Sequence, residues 1–450
     1  METSSAAAPR IALRELRQRI GGSRSMQSDG TARIDRAIFS DPEIFDLELR
    51  HLFERNWVYV AHESQVAKPF DFITTHIGRQ PVVVTRDQSG EIRCMINACS
   101  HRGAIVYRNK SGNRRNQACG FHGWVYNVRG ELVGVTSEDK GAYPPSFDKG
   151  TLGLHQARVG NYRGFLFASL EHDVAPLEQY LGTAAGMIDM LVDQAPDGRW
   201  EILRGTTAYT YHGNWKLAAE NGVDGYHAST VHASYVDITM KRMRAALPQG
   251  REVFDLSKVN ELPGGFQTFE NGHAMVWTQA LNERVRPSYR HRDEFIRRHG
   301  EETTSWMLGR LRNLILAPNV FLMDSMSTQV RIIRPLSVDR TEVTTYCLAP
   351  VSEDAASRTA RIRQYEDFYN ATGLATPDDL SEFNYCQDGF AARTTPWSDL
   401  SRGGARRTTA SEAARRGDVD AGDEGIYIGI YEDWARRMLA AVDSELGVVE

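Results

Sequence analysis

Two short pairs of metal-binding residue types, Cys99-x-His101 and Cys119-x2-His122, lie in the stretch CSHRGAIVYRNKSGNRRNQACGFHGW. Seventeen residues separate the pairs. Thiolate and imidazole together suit zinc or an iron–sulfur centre; an ordinary unligated loop is the third reading. A second group occupies ENGVDGYHASTVH, where Asp224, His227 and His232 fall within nine residues. Two imidazoles and a carboxylate suit a single ion with coordination positions left open.

The composition of the first two pairs separates the alternatives. Zinc fingers favour Cys-Cys and His-His pairs, the latter spaced by several residues on a helix, whereas here each loop offers one thiolate and one imidazole. That mixing suits a Rieske 2Fe-2S centre, in which one iron takes both Cys and the other both His. Gly103, Gly120 and Gly123 flank the ligands, permitting tight turns and exposed backbone N–H groups near the sulfurs. Such a cluster stores single electrons, which something else must consume.

Asp224 and His227 are three residues apart and share a helix face. His227 and His232 are five apart and diverge by roughly 140° on a regular helix. Both reach one ion only if the helix distorts or ends between them, and Gly222 and Gly225 suit a π-type bulge there. Alone, this group would more often be a structural network; the upstream cluster turns the reading toward an O2-activating Fe(II) site with a 2-His-1-carboxylate triad. The third ligand must come from elsewhere. The helical segment TPDDLSEFNYCQDGF offers Asp378, Asp379 and Asp388, which local chemistry does not rank, since Asp378 or Asp379 also suits a helix N-terminus.

The elements around these residues read as α+β: a small antiparallel β domain precedes a larger catalytic domain with a central antiparallel sheet flanked by helices. FITTHIG, PVVVTR and EIRCMIN read as strands leading to the first ligand loop. YRGFLFASL reads as one strand, followed by a helical stretch to about 192 and the strand ILRGTTAYTY. NWKLAAENGVDGYHASTVHASY reads as helix, FQTFENGHAMVW as an Asn-Gly hairpin, and NVFLMDSMSTQVRIIRPL and TEVTTYCLAP as two strands. Residues 8–20, 354–371 and 426–445 are helical by pattern, with Ile11, Leu16 and Ile20 as a stripe on the first. The expected division is 1–54 as a helical segment packing with the catalytic domain, 55–165 as the cluster domain and 166–450 as the catalytic domain. The polar stretch 401–424 reads as a surface loop.

Bulk properties narrow the partners. A net charge of −5 over 450 residues offers no basic excess for nucleic acid. No apolar run is long enough to cross a bilayer and no leader-like apolar core stands at the N-terminus, so the expectation is a cytoplasmic protein without membrane contact. Five Cys are too few and odd in number for a disulfide framework. Cys94, Cys347 and Cys386 are expected to be buried thiols.

With CSHRGA, FHGW and ENGVDGYHASTVH in place, the chain resembles the large (α) subunits of Rieske non-heme iron ring-hydroxylating dioxygenases. NYRGFLFASL, IDMLVDQAPDG, GNWKL, ATPDDLSEF and DEGIY resemble the benzoate, toluate and anthranilate 1,2-dioxygenase group in particular. The resemblance runs from about residue 35 to the C-terminus and weakens in the 401–424 loop. It implies that Cys99, His101, Cys119 and His122 hold the 2Fe-2S cluster and that His227 and His232 bind a mononuclear Fe(II). It implies Asp379 as third ligand, with Asp378 and Asp388 as alternatives. Asp224 resembles a carboxylate that joins an iron-ligating His to a cluster-ligating His of the neighbouring subunit. The implied assembly is a homotrimeric α core, α3, or α3β3 with a small β subunit.

No G-x-G fingerprint for a dinucleotide is present, so NADH acts through a separate flavin- or ferredoxin-type reductase. The implied reaction adds both atoms of O2 to an aromatic carboxylate: benzoate, a substituted benzoate or anthranilate. Lining is expected around FQTFENGHAMVW and NVFLMDSM; Arg331 and Arg334 are tempting anchors, although strand arginines are more often surface or structural. The competing readings are a Rieske monooxygenase or demethylase, a Rieske electron carrier without the second metal, and a zinc-stabilised binding module.

Overall fold

The computed structural model describes residues 7–246, 261–325, 327–404 and 419–447. It forms two compact units. The smaller comprises Leu49–Tyr180 with Trp200–Ile202, and the larger the remainder. The smaller unit is thus longer than 55–165 at both ends.

In the smaller unit, antiparallel strands pair in the order Val58–His62, Phe165–Ser169, Gln156–Tyr162, Ile92–Ile96, Gln80–Arg86, Asp71–Ile77 and Ser111–Asn113. A second sheet holds Leu132–Gly134, Val125–Asn127 and Asn116–Ala118. YRGFLFASL is not one strand but the turn and second arm of a hairpin. Arg163 at φ 52° and Gly164 at φ 93° supply the two positive dihedrals that a tight two-residue turn requires, and Tyr162 pairs with Phe165 across it.

In the larger unit the strands Thr207–His212, Arg340–Pro350, Thr328–Ser337, Val320–Asp324, Arg310–Leu316, Ala274–Gln279 and Gly264–Thr268 pair antiparallel in that order. The Asn-Gly hairpin forms with Asn271 at φ 60° and Gly272 at φ 75°. NVFLMDSMSTQVRIIRPL divides into two strands, which pair Asp324 with Thr328.

Helix Ala7–Gly21 packs on helix Gly425–Leu446, and the ion pair Arg17–Asp443 links them at 2.6 Å. Leu16 and Ile20 are buried. The Ile11 side chain and residues 405–418 of the polar loop lie outside the described residues. Cys94 and Cys347 are buried, but Cys386 is exposed: it sits on the last turn of helix Thr376–Gly389, where Tyr385, Asp388 and Gly389 also meet solvent.

A buried charge pins the segment that leads to the second ligand group. Glu48 is fully buried and accepts hydrogen bonds from Lys216 Nζ at 2.6 Å and from Trp215 Nε1 and Trp434 Nε1, each at 2.7 Å. A buried carboxylate is tolerable only when it is so paired. Helix Trp215–Asn221 therefore starts from a fixed point.

Candidate metal centres

The two loops of the smaller unit share one construction. Cys99 N–H donates to Ala104 O at 2.9 Å and Gly103 N–H to Cys99 O at 2.8 Å; Cys119 N–H donates to Trp124 O at 2.7 Å and Gly123 N–H to Cys119 O at 3.0 Å. Both closing glycines have φ 72°. At Gly103 an added Cβ would meet nothing within 4 Å, so backbone conformation alone requires the glycine.

Cys99 and Cys119 are buried in a cluster with Val106, Trp124 and Tyr126. His101 is exposed and His122 half-buried, with their ring centroids 4.5 Å apart. His101 stacks on Trp124 at 4.8 Å. Among the described residues, the only set of three or more His, Cys, Asp or Glu donors converging within 4.8 Å belongs to the larger unit. These four donors therefore do not meet at one point, as a mononuclear zinc would demand. Thiolates inside and imidazoles outside fit a two-iron centre with its Cys side buried and its His side near solvent.

In the larger unit the chain leaves the helix after Asn221 and makes a single turn, Ala228–Val231, between His227 and His232. The break is a loop rather than the expected π-type bulge. His232 at φ −95°, ψ 26° departs from helical geometry, which removes the divergence expected of residues five apart. Their Nε2 atoms lie 3.2 Å from each other. Asp379 Oδ1 completes a triangle at 3.5 Å from His227 Nε2 and 3.4 Å from His232 Nε2. Such edges are the separations of neighbouring ligands about 2.1 Å from one ion. Asp379 is buried, whereas Asp388 is exposed and 3.6 Å from His212 Nδ1; Asp378 is absent from the converging set. Glycines make room for the turn, since a Cβ at 222 would strike the Phe321 ring and one at 225 the Ala421 backbone.

Asp224 Oδ2 lies 3.0 Å from His227 Nδ1, and its Oδ1 accepts the Tyr226 N–H at 2.6 Å. Burial disfavours both charges, yet their contact prevails: the His227 pKa is raised and the Asp224 pKa lowered. The contact favours the tautomer with its proton on Nδ1, leaving Nε2 for the triangle. His232, with no such carboxylate, is pushed down to about 4 by burial and by the neighbouring His227. Burial raises the Asp379 pKa despite the neighbouring His227 and Arg331.

A cavity of 180 Å³ includes these three side chains together with Val276, Trp277 and Met323, which lie in the expected lining stretches. An apolar cavity of about 150 Å³ admits a benzene ring, so the space suits one aromatic ring. Arg331 also lines it and is 6% exposed, so it is not at the surface; Arg334 pairs instead with Glu342 at 3.3 Å.

Three contributors were not singled out from sequence. Asn221 Nδ2 donates to Asp379 Oδ1 at 3.1 Å, Tyr126 OH lies 3.3 Å from Cys99 Sγ, and Trp124 supports His101. Asn221 was visible as the residue before Gly222. Nothing local marked Tyr126.

Residues 199–443 match the family described as ring hydroxylating alpha subunit (catalytic domain), and residues 56–152 match the Rieske [2Fe-2S] domain. The chain is 46% identical to toluate 1,2-dioxygenase subunit alpha of Pseudomonas putida over 93% of this chain and 94% of that protein. It is 44% identical to the 2-halobenzoate 1,2-dioxygenase large subunit of Burkholderia cepacia over 94% and 93%. A solved naphthalene 1,2-dioxygenase with bound indole shares the fold at TM-score 0.79 and 23% identity, covering 94% of this chain and 96% of that one. The chain belongs to the ring-hydroxylating oxygenase alpha subunits, with a Rieske domain preceding the catalytic domain, and is an oxidoreductase of the dioxygenase type.

Proposed function

We propose that this chain cis-dihydroxylates an aromatic carboxylate, benzoate, a substituted benzoate or anthranilate, as the large subunit of a cytoplasmic terminal oxygenase. The reading is carried by the convergence of His227, His232 and Asp379 in a cavity sized for one ring. The kinship with toluate and 2-halobenzoate dioxygenases supports the substrate class. Cys99, His101, Cys119 and His122 are assigned to the cluster, and His227, His232 and Asp379 to the mononuclear iron. When bound, the cluster relays single electrons and the iron activates O2.

The protein's own residues orient and exclude. Asp224 fixes the His227 tautomer, Asn221 holds the ligating oxygen of Asp379, and Trp277 and Met323 wall the ring from water. The balance is one carboxylate, one O2, one NADH and one proton giving one cis-diol and NAD⁺, so a reductase must deliver two electrons singly. A trimer of α subunits, as α3 or α3β3, would let Asp224 bridge to a neighbour's cluster histidine.

The test combines purified protein, a compatible flavin reductase, NADH and ¹⁸O2 with benzoate, 2-chlorobenzoate, anthranilate and toluene. One diol carrying two labelled oxygens per NADH is expected from a benzoate. A product with a single labelled oxygen would overturn the dioxygenase assignment for this chain.

A further inference from the structure

We propose that Arg331 binds the substrate's carboxylate, a reading that rests on the aromatic-carboxylate function proposed above. Arg331 lies within strand Thr328–Ser337, paired on one side with Phe321 and on the other with Thr345. A charged residue at an interior strand position needs a partner. Three arginines are buried among the described residues: Arg312, Arg331 and Arg361. Arg312 pairs with Asp324, and Arg361 pairs with Glu353 at 2.7 Å. Among the described residues no carboxylate lies in salt-bridge contact with Arg331, and its buried Nε has no hydrogen-bond partner. The Tyr369 ring lies 5.7 Å from the guanidinium carbon.

A guanidinium does not shed its proton at working pH, so burying it unpaired is strongly unfavourable. Its neighbours relieve it only in part: Asp379 interacts with it through space but directs Oδ1 at Asn221 and the two histidines, and Glu342 pairs with Arg334. Arg331 lines the same cavity as His227, His232 and Asp379. An anion entering that cavity meets a desolvated, planar donor fork that matches a carboxylate in two parallel hydrogen bonds. A neutral ring gains only the apolar walls. The cavity therefore selects a benzoate over a toluene or a benzamide through one residue.

The test measures equilibrium binding of benzoate and benzamide to the metal-loaded protein by calorimetry, together with thermal unfolding, for wild type, Arg331→Met and Arg331→Lys. In Arg331→Met, benzoate affinity should fall by about 30-fold or more while benzamide affinity changes by less than about threefold, the contrast expected for losing charge-assisted hydrogen bonds alone. Cluster absorbance and iron content should stay unchanged. The ligand-free midpoint should be no lower than wild type, because an unpaired buried charge has been removed, and benzoate should raise the midpoint of wild type more than that of Arg331→Met. Arg331→Lys should recover part of the affinity. Unaltered benzoate binding in Arg331→Met overturns the proposal, as does a lowered ligand-free midpoint with equal loss of both ligands, which marks a structural arginine. Wild type that fails to distinguish benzoate from benzamide overturns the aromatic-carboxylate reading itself.

Discussion

The loops proposed to hold the cluster and the segment proposed to hold the iron each carry two histidines, and they use the chain in opposite ways. In the loops each His stands beside its own Cys, and a glycine at φ 72° closes the same hydrogen-bonded turn twice. Ligand position there is set within six residues, on a floor of buried strands. At the second site His227 and His232 flank one short turn, and the third donor, Asp379, arrives on helix Thr376–Gly389. Its precision depends on Phe321 and Ala421 packing against glycines and on Glu48 anchoring the preceding helix. The first arrangement is local and robust; the second is an agreement among distant elements.

If the two are separable, they can be broken one at a time. His227→Ala should lower product formation by at least ~10³-fold, the loss of several kcal/mol of metal-derived stabilisation, with the cluster's absorbance and its two sulfides retained. Cys119→Ser should remove the visible spectrum and destabilise the fold, since Cys119 belongs to the buried cluster around Trp124. Loss of both signals in His227→Ala would end the comparison, because the sites would then share one structural fate.

A smaller effect tests the carboxylate beside His227. Asp224→Asn keeps the shape but cannot carry the charge that holds the Nδ1 proton. Activity should fall about 10- to 100-fold, the usual cost of losing an outer partner of a metal-bound histidine, with iron and sulfide contents unchanged. Stopped-flow oxidation of the reduced cluster should slow in parallel. Undiminished cluster oxidation would remove Asp224 from the electron path and leave it a partner of His227 alone.

The same contrast explains what the sequence disclosed. Both ligand loops were readable because the ligands, their spacing and their glycines lie within one short stretch. The large antiparallel sheet followed from alternating strands, and the Asn-Gly turn from its two positive φ residues. Local chemistry did not separate Asp379 from Asp378 or Asp388, because burial, not residue type, distinguishes them; only the family resemblance favoured Asp379. Arg331 and Arg334 were equal as anchors until the sheet placed Arg331 on the cavity, with no carboxylate among the described residues in salt-bridge contact, and gave Arg334 to Glu342. YRGFLFASL looked continuous because Arg163 conceals a left-handed turn position that only the pairing of Tyr162 with Phe165 reveals. Cys386 shares the hydrophobic character of Cys94 and Cys347, but its helix ends at the surface.

The smallest effect concerns a residue that no pattern marked. Tyr126 accepts the Ser100 N–H at 3.0 Å, which leaves its own proton free for Cys99 Sγ at 3.3 Å. Burial, and then the Cys99 contact, push the Tyr126 pKa up to about 12, so the hydroxyl stays protonated at any working pH. A donor to a ligand sulfur stabilises the reduced, more negative cluster more than the oxidised one. Tyr126→Phe should therefore lower the cluster potential by about 40 mV, the one-electron equivalent of a net hydrogen bond worth about 1 kcal/mol. A redox titration followed by electron paramagnetic resonance reads this directly. Iron content at the His227 site should not change, and turnover with saturating reductase should drop only a few-fold, as about 40 mV of lost driving force allows. A potential within ~10 mV of wild type would mean that the hydroxyl serves Ser100 alone, since even a weak net bond to sulfur is worth more than that. The loop's backbone geometry, rather than its side-chain surroundings, would then set the cluster's properties.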